Sequence, residues 1–152
     1  MAPTQPLLAL DEAKQEAGFF RWGIDGNSRS GHFNLRKETV AGNPRYRNLR
    51  PVIIPVSHFY EWSGRQPMMI ARADGQPLLI AGLKGSWESE PAVTMITTAA
   101  TGVIVPFHSR MPVLLEEGEL TVVPVSRLVN DVRNDGPELL EPPSEYQLEL
   151  LG

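Results

Sequence analysis

The 152-residue chain has no cysteine, which excludes disulfides, a thiolate nucleophile and Cys-ligated metal. It also lacks any apolar run near the ~20 residues that span a bilayer. Its opening, Met1-Ala2-Pro3-Thr4-Gln5-Pro6, has no basic residue ahead of Leu7-Leu8-Ala9-Leu10 and does not read as a signal peptide. There is no Gly-rich phosphate loop of either common type, no internal repeat and no low-complexity segment. A composition of 41% hydrophobic and 21% charged residues excludes a disordered tail and a charged coiled coil. These absences predict one soluble cytoplasmic domain over 1–152, with a loose acidic tail over 142–152, no cofactor, no metal and no membrane partner.

What the chain does contain is punctuation: 14 Pro and 13 Gly separate many short β-like runs. The runs are Pro6–Leu10, Phe19–Ile24, Gly31–Arg36, Val52–Ile54, Phe59–Trp62, Pro67–Arg72, Leu78–Leu83, Val93–Thr98, Val113–Leu115 and Leu120–Val123. Such spacing predicts a mainly antiparallel sheet protein. Asp74-Gly75 between Met68–Arg72 and Leu78–Gly82 predicts a tight hairpin, because the pair supplies positive φ angles. Asp11–Ala17 ends at Gly18 and predicts a helix of about two turns. Ser126 caps a second short helix over Ser126–Val132, whereas Thr39–Leu49, broken by Gly42 and Pro44, is irregular.

The formal charge of −4 is unevenly spread. Residues 21–84 carry ten Lys/Arg against four acids, and residues 85–152 carry three Arg against eleven acids. A basic middle in an acidic chain can hold a polyanion through its local field, or can be neutralised by the two ends across the fold.

Three stretches hold residues suited to chemistry. In His58-Phe59-Tyr60-Glu61-Trp62 a carboxylate stands among aromatic rings. On a strand Phe59 and Glu61 share one face and Tyr60 and Trp62 the other. If the Glu61 face is a cleft, burial raises its pKa and makes it a general acid or base; if not, it is an edge residue paired with an arginine. In Phe107-His108-Ser109-Arg110-Met111-Pro112, the proline stiffens the backbone, and His108 and Arg110 suit proton transfer and anion contact. In Phe33-Asn34-Leu35-Arg36, Asn34 and Arg36 share a strand face and could grip phosphate or sugar oxygens. His58 and Glu61 fall on opposite strand faces and make a poor metal pair. Neighbouring His108 and Ser109 diverge, against a nucleophile–base dyad.

The ordered segments APTQP (2–6), RWGI (21–24), FNLRKET (33–39), IIPVSHFYEW (53–62), ITTAA (96–100), FHSRMPVLL (107–115) and VPVSRLVNDVRNDGPELLEP (123–142) resemble the SOS-response-associated peptidase (SRAP) family, sensors of abasic sites in single-stranded DNA. The resemblance implies an α+β fold, mainly antiparallel β, with barrel-like sheets, a few short helices and a positively charged cleft for single-stranded or junction DNA. Glu61 matches the family's catalytic glutamate and His108 its active-site histidine. Asn34 and Arg36 match DNA-organising positions, Thr97 a pocket-lining threonine, and Arg110 a position at phosphate or holding the loop. Trp22 matches a position near the DNA face, and Arg45, Arg47 and Arg50 are expected to add backbone contacts.

In the family an N-terminal cysteine closes the sugar aldehyde into a thiazolidine. This chain opens at the family's Ala-Pro segment and carries Ser57-His58 where the family has Asp-Gly. It therefore resembles a trimmed member that binds abasic or intact DNA, probably as a monomer in form, without that crosslink. One alternative is a residual lyase in which the Ala2 α-amine or Lys37 forms an imine. Another is a non-catalytic remnant that pairs with a further chain through an exposed sheet edge and so self-associates.

Overall fold

In a computed structural model, residues 5–26 and 31–127 are described. Ten strands alternate with three short helical turns. Strands β1 (Pro6–Asp11), β2 (Glu16–Trp22), β4 (Arg50–Val56), β7 (Leu78–Trp87) and β8 (Glu90–Ala99) form a sheet in the order β2-β1-β4-β7-β8. Parallel pairing of Arg21 with Ala92 and Trp22 with Val93 joins β2 back to β8 and closes the sheet into a small barrel. Strand periodicity fills it: Leu7, Ala9, Val52, Ile54, Val56, Leu78, Ile80, Val93 and Met95 all point inward. Gly82 is required there, since a Cβ would come 2.6 Å from Ile54 Cδ1 and 2.8 Å from the Thr94 carbonyl oxygen.

Two short strands extend β8 past the barrel. Strand β3 (Asn34–Arg36) runs parallel to it and β9 (Arg110–Pro112) antiparallel, so Thr97 pairs with Arg36 on one side and Pro112 on the other. Helix α1 (Lys37–Gly42) and a 3-10 turn (Pro44–Tyr46) follow β3. They pack through Val40 and Tyr46 on a second cluster with Ile24, Leu35, Leu83 and Ala92. A separate three-stranded sheet, order β10-β6-β5, comprises β5 (Phe59–Ser63), β6 (Gln66–Arg72) and β10 (Leu120–Pro124). The mainly antiparallel α+β expectation therefore holds.

Two local expectations do not. Residues 11–17 are not helical: Asp11 and Glu16 pair as the ends of a β1–β2 hairpin. The Asp11 carboxylate accepts from the Lys14 amide (3.2 Å) and from Arg50, and Gln15 turns the chain at φ 53°. Seven residues give too little helix to outweigh the flanking alternating strands. Asp74-Gly75 does form its turn, with Gly75 at φ 76° and the Gln76 amide donating to Asp74 Oδ1 at 3.0 Å. Yet it links two sheets rather than closing a hairpin. β6 pairs with β5 and β10, whereas β7 pairs with β4 and β8. The expected helix from Ser126 falls mostly outside the described residues, as do Ala2 and the acidic tail.

Candidate functional site

Residues directly opposite on antiparallel strands share a face. Glu61 on β5 stands opposite Met68, and Phe59 opposite Ile70. Met68 and Ile70 are buried and Phe59 packs on the core, so this is the inward face of the three-stranded sheet. Tyr60 and Trp62 lie on the outer face, their rings 6.4 Å apart. Glu61 is half-buried, and its desolvation pushes the carboxyl pKa above the usual range, while charge on His108 acts in the opposite sense.

His108 reaches this neighbourhood because of a small apolar cluster. The 3-10 turn Gly102–Ile104 sinks Ile104, fully buried, against Ile70 and Met111. The Phe107 and His108 amides both donate to the Ile104 carbonyl, at 2.9 and 3.2 Å. The cluster that supports Glu61's sheet thus also anchors the His108 loop. The His108 ring is exposed, with Nδ1 3.0 Å from both the amide nitrogen and the carbonyl oxygen of Arg110.

The Arg110 guanidinium is held inside the protein. It donates to both Glu38 oxygens (3.3 and 3.0 Å), to the Thr97 carbonyl (2.8 Å) and to Thr97 Oγ1 (3.3 Å). The bond to Arg110 lowers the Glu38 pKa. Of the two expected roles for Arg110, this geometry matches holding the loop. Asn34 and Arg36 project together from β3, both exposed, on either side of buried Leu35. Lys37, Arg45 and Arg47 follow on α1 and the next turn, also exposed.

Arg50 lies apart from this group. It binds buried Asp11 through Nε at 2.9 Å, and its hydrogen bond lowers the Asp11 pKa. The basic middle is partly neutralised by the chain ends, through this pair and through Arg72 with Glu116 at 3.5 Å. Trp22 is half-buried, its Nε1–H donating to the Phe33 carbonyl at 2.8 Å and its ring meeting Phe33 edge-on at 6.0 Å. It therefore wedges β2 against the segment leading into β3.

Two features escaped the sequence reading. Glu38 sits inside the FNLRKET stretch, but its partner Arg110 is 72 residues away, so only its place in the helix's first turn hinted at a role. On the outer face, His58 bridges Ser57 Oγ (2.7 Å from Nδ1) and Tyr60 Oη (3.0 Å from Nε2), and burial pushes its pKa down. Among the described residues, no group of three or more His, Asp or Glu could hold a metal ion. No described helix is long and apolar enough to cross a membrane.

A family model for the SOS response associated peptidase (SRAP) matches residues 1–126. The chain belongs to the SRAP family. It is 28% identical to the abasic site processing protein YoqW of Bacillus subtilis, over 93% of this chain and 84% of that protein. It is 27% identical to the abasic site processing protein YedK of Escherichia coli, over 72% of this chain and 66% of YedK. The YoqW match runs over 188 residues, more than the 152 of this SRAP chain, so that relative carries segments within the matched span that are missing here. A solved Bacteroides thetaiotaomicron protein shares the fold with a TM-score of 0.72 at 16% identity, covering 91% of this chain and 82% of that one. A Bordetella bronchiseptica protein matches at 26% identity and a TM-score of 0.60, over 85% and 72% of the two chains.

Proposed function

We propose that this SRAP domain binds single-stranded or junction DNA at abasic sites, with Glu61 and His108 handling protons at the ring-opened sugar. The observation that carries this reading is a desolvated carboxylate on an inward sheet face, within electrostatic reach of a histidine anchored by the same apolar cluster. A carboxyl with a raised pKa transfers protons near neutral pH, where an ordinary one stays ionised. Asn34 and Arg36 offer an amide and a guanidinium side by side for phosphate and sugar oxygens. Lys37, Arg45 and Arg47 extend that positive surface, and Thr97 stands where β3 and β9 meet β8. The names of the abasic site processing relatives support the substrate class. These 152 residues contain no thiol, so they form no thiazolidine by themselves.

Binding to abasic and intact single strands across a salt series tests the reading. Affinity should fall steeply, with a log–log slope of about −0.7 per neutralised phosphate. Glu61→Gln and His108→Asn should remove the preference for abasic over intact strands and leave the slope in place. A flat salt profile, or an unchanged preference in both variants, would sink it.

A lyase is the second reading, favoured by the position of Lys37 beside the Glu38–Arg110 clamp at the start of α1. The Lys37 amine adds to the C1′ aldehyde and loses water to give an imine; Glu61 then takes a C2′ proton as the 3′-phosphate leaves. Borohydride should trap the imine on abasic DNA, and Lys37→Ala should abolish the trapped adduct.

A further inference from the structure

We propose that Arg110 serves His108 through its backbone, and that Glu38 is the positioning residue that keeps this backbone in place. The inference rests on the reading of His108 as a proton handler and adds how its ring is supported.

In an antiparallel pair, alternate residues turn both backbone polar groups toward the partner strand and both away from it. The Ser109 carbonyl accepts from the Ala100 amide (2.9 Å), and the Val113 amide donates to the Ile96 carbonyl (2.9 Å). Ser109, Met111 and Val113 therefore face β8, while Arg110 turns its N–H and C=O to the outer edge. There, both stand 3.0 Å from His108 Nδ1. The next residue facing outward is Pro112, which has no N–H to compete.

A donor and an acceptor at one ring nitrogen satisfy either tautomer. With Nδ1 bare, the Arg110 N–H donates to it and Nε2 carries the proton. With Nδ1 protonated, it donates to the Arg110 C=O and Nε2 offers its lone pair. His108 can then give a proton in one step and take one in the next without turning its ring. When Nε2 takes a proton the ring becomes imidazolium and Nδ1–H stays on the carbonyl; loss of either proton restores a neutral, supported ring. The charged groups around this device are Glu61 from β5, Glu38 from α1 and Arg110 itself.

Arg110 is the first residue of a three-residue strand, where a ladder frays most easily. Its guanidinium ties that end down, bridging Glu38 on α1 and Thr97 on β8. Glu38 is largely exposed, so removing it leaves the core intact and frees the arginine.

Long-range proton–nitrogen NMR of the His108 ring at pH ~8.5, where an ordinary imidazole is neutral, reads the device directly. Wild type should populate both tautomers within about threefold of each other. Glu38→Ala, and separately Arg110→Lys, which keeps charge but loses the fork, should move the ratio to that of a disordered His peptide measured alongside. A single tautomer in wild type, or ring shifts unchanged in both variants whose amide spectra remain folded, would overturn the proposal. Handling of abasic DNA is a separate readout. If His108→Asn leaves it unaltered while the ring behaves as described, the functional reading falls and the support for the ring stands.

Discussion

Every strand of the barrel has two neighbours, whereas in the three-stranded sheet only β6 does. The inward barrel positions are occupied by Leu7, Val52, Ile54, Ile80 and Val93, and the buried polar Thr94 is satisfied by donating to the Phe33 carbonyl at 2.8 Å. The inward face of the smaller sheet instead admits Glu61 beside Phe59 and Met68. Closure removes edges and gives stability to one region, while the other keeps open edges and a desolvated acid. The two regions divide the work: the barrel holds the fold, and the sheet beside it bears a destabilising group suited to chemistry.

The division breaks or holds first on core truncations. Ile54→Ala in the barrel should cost about 2–5 kcal/mol by urea unfolding, as for other fully buried aliphatic truncations. Gly82→Ala should cost about 1–3 kcal/mol by forcing Ile54 and the β8 backbone apart. Ile104→Ala removes an equally buried side chain from the small cluster under the His108 loop. It should fall at the low end of the same range, yet abolish abasic preference under conditions where the domain is folded. If abasic preference followed stability alone across these three variants, the proposed division would be wrong.

A smaller effect separates the arginines. Arg36→Ala should weaken DNA binding roughly uniformly across sequences and reduce the magnitude of the salt slope by about 1. Arg50→Ala should leave the slope unchanged and instead move unfolding to lower urea, because buried Asp11 loses its cation. A loss of slope from Arg50→Ala would place the DNA path on the β1–β2 side.

How far the sequence could be read follows the same boundary. Alternation exposed the strands, and the face shared by Phe59 and Glu61 was legible in four letters, because side-chain period is a local property. Partner choice is not local. Asp74-Gly75 has the right turn chemistry, but β7 gains more by lying between β4 and β8 with Leu78 and Ile80 fully buried than by pairing with β6. The acidic start and glycine stop of residues 11–18 imitate a helix, and only pairing with β4 and Arg50 reveals a hairpin. The charged groups were hardest, since Arg50 and Arg110 find their acids 39 and 72 residues away.

The smallest effect sharpens the contrast most, through its sign. Burial raises the Glu61 pKa, so its contribution to stability is fully present below the ordinary carboxylate value of 4.5 and is lost as pH rises through the raised folded value. Glu61→Gln cannot ionise, so it should unfold at higher urea than wild type at pH ~7 and show no such gain at pH ~3.5, below the ordinary carboxylate range. Asp74, outside the site, runs the other way. Arg72 holds its pKa near about 2, so its contribution is present above 3.8 and is lost as pH falls toward 2. Asp74→Asn should therefore lose stability at neutral pH, where Glu61→Gln gains it. Opposite signs from two carboxylates mean that one is kept for structure and the other is retained at a cost to it. If Glu61→Gln were destabilising at neutral pH, Glu61 would be a paired structural acid and the smaller sheet would be simply a second piece of scaffold.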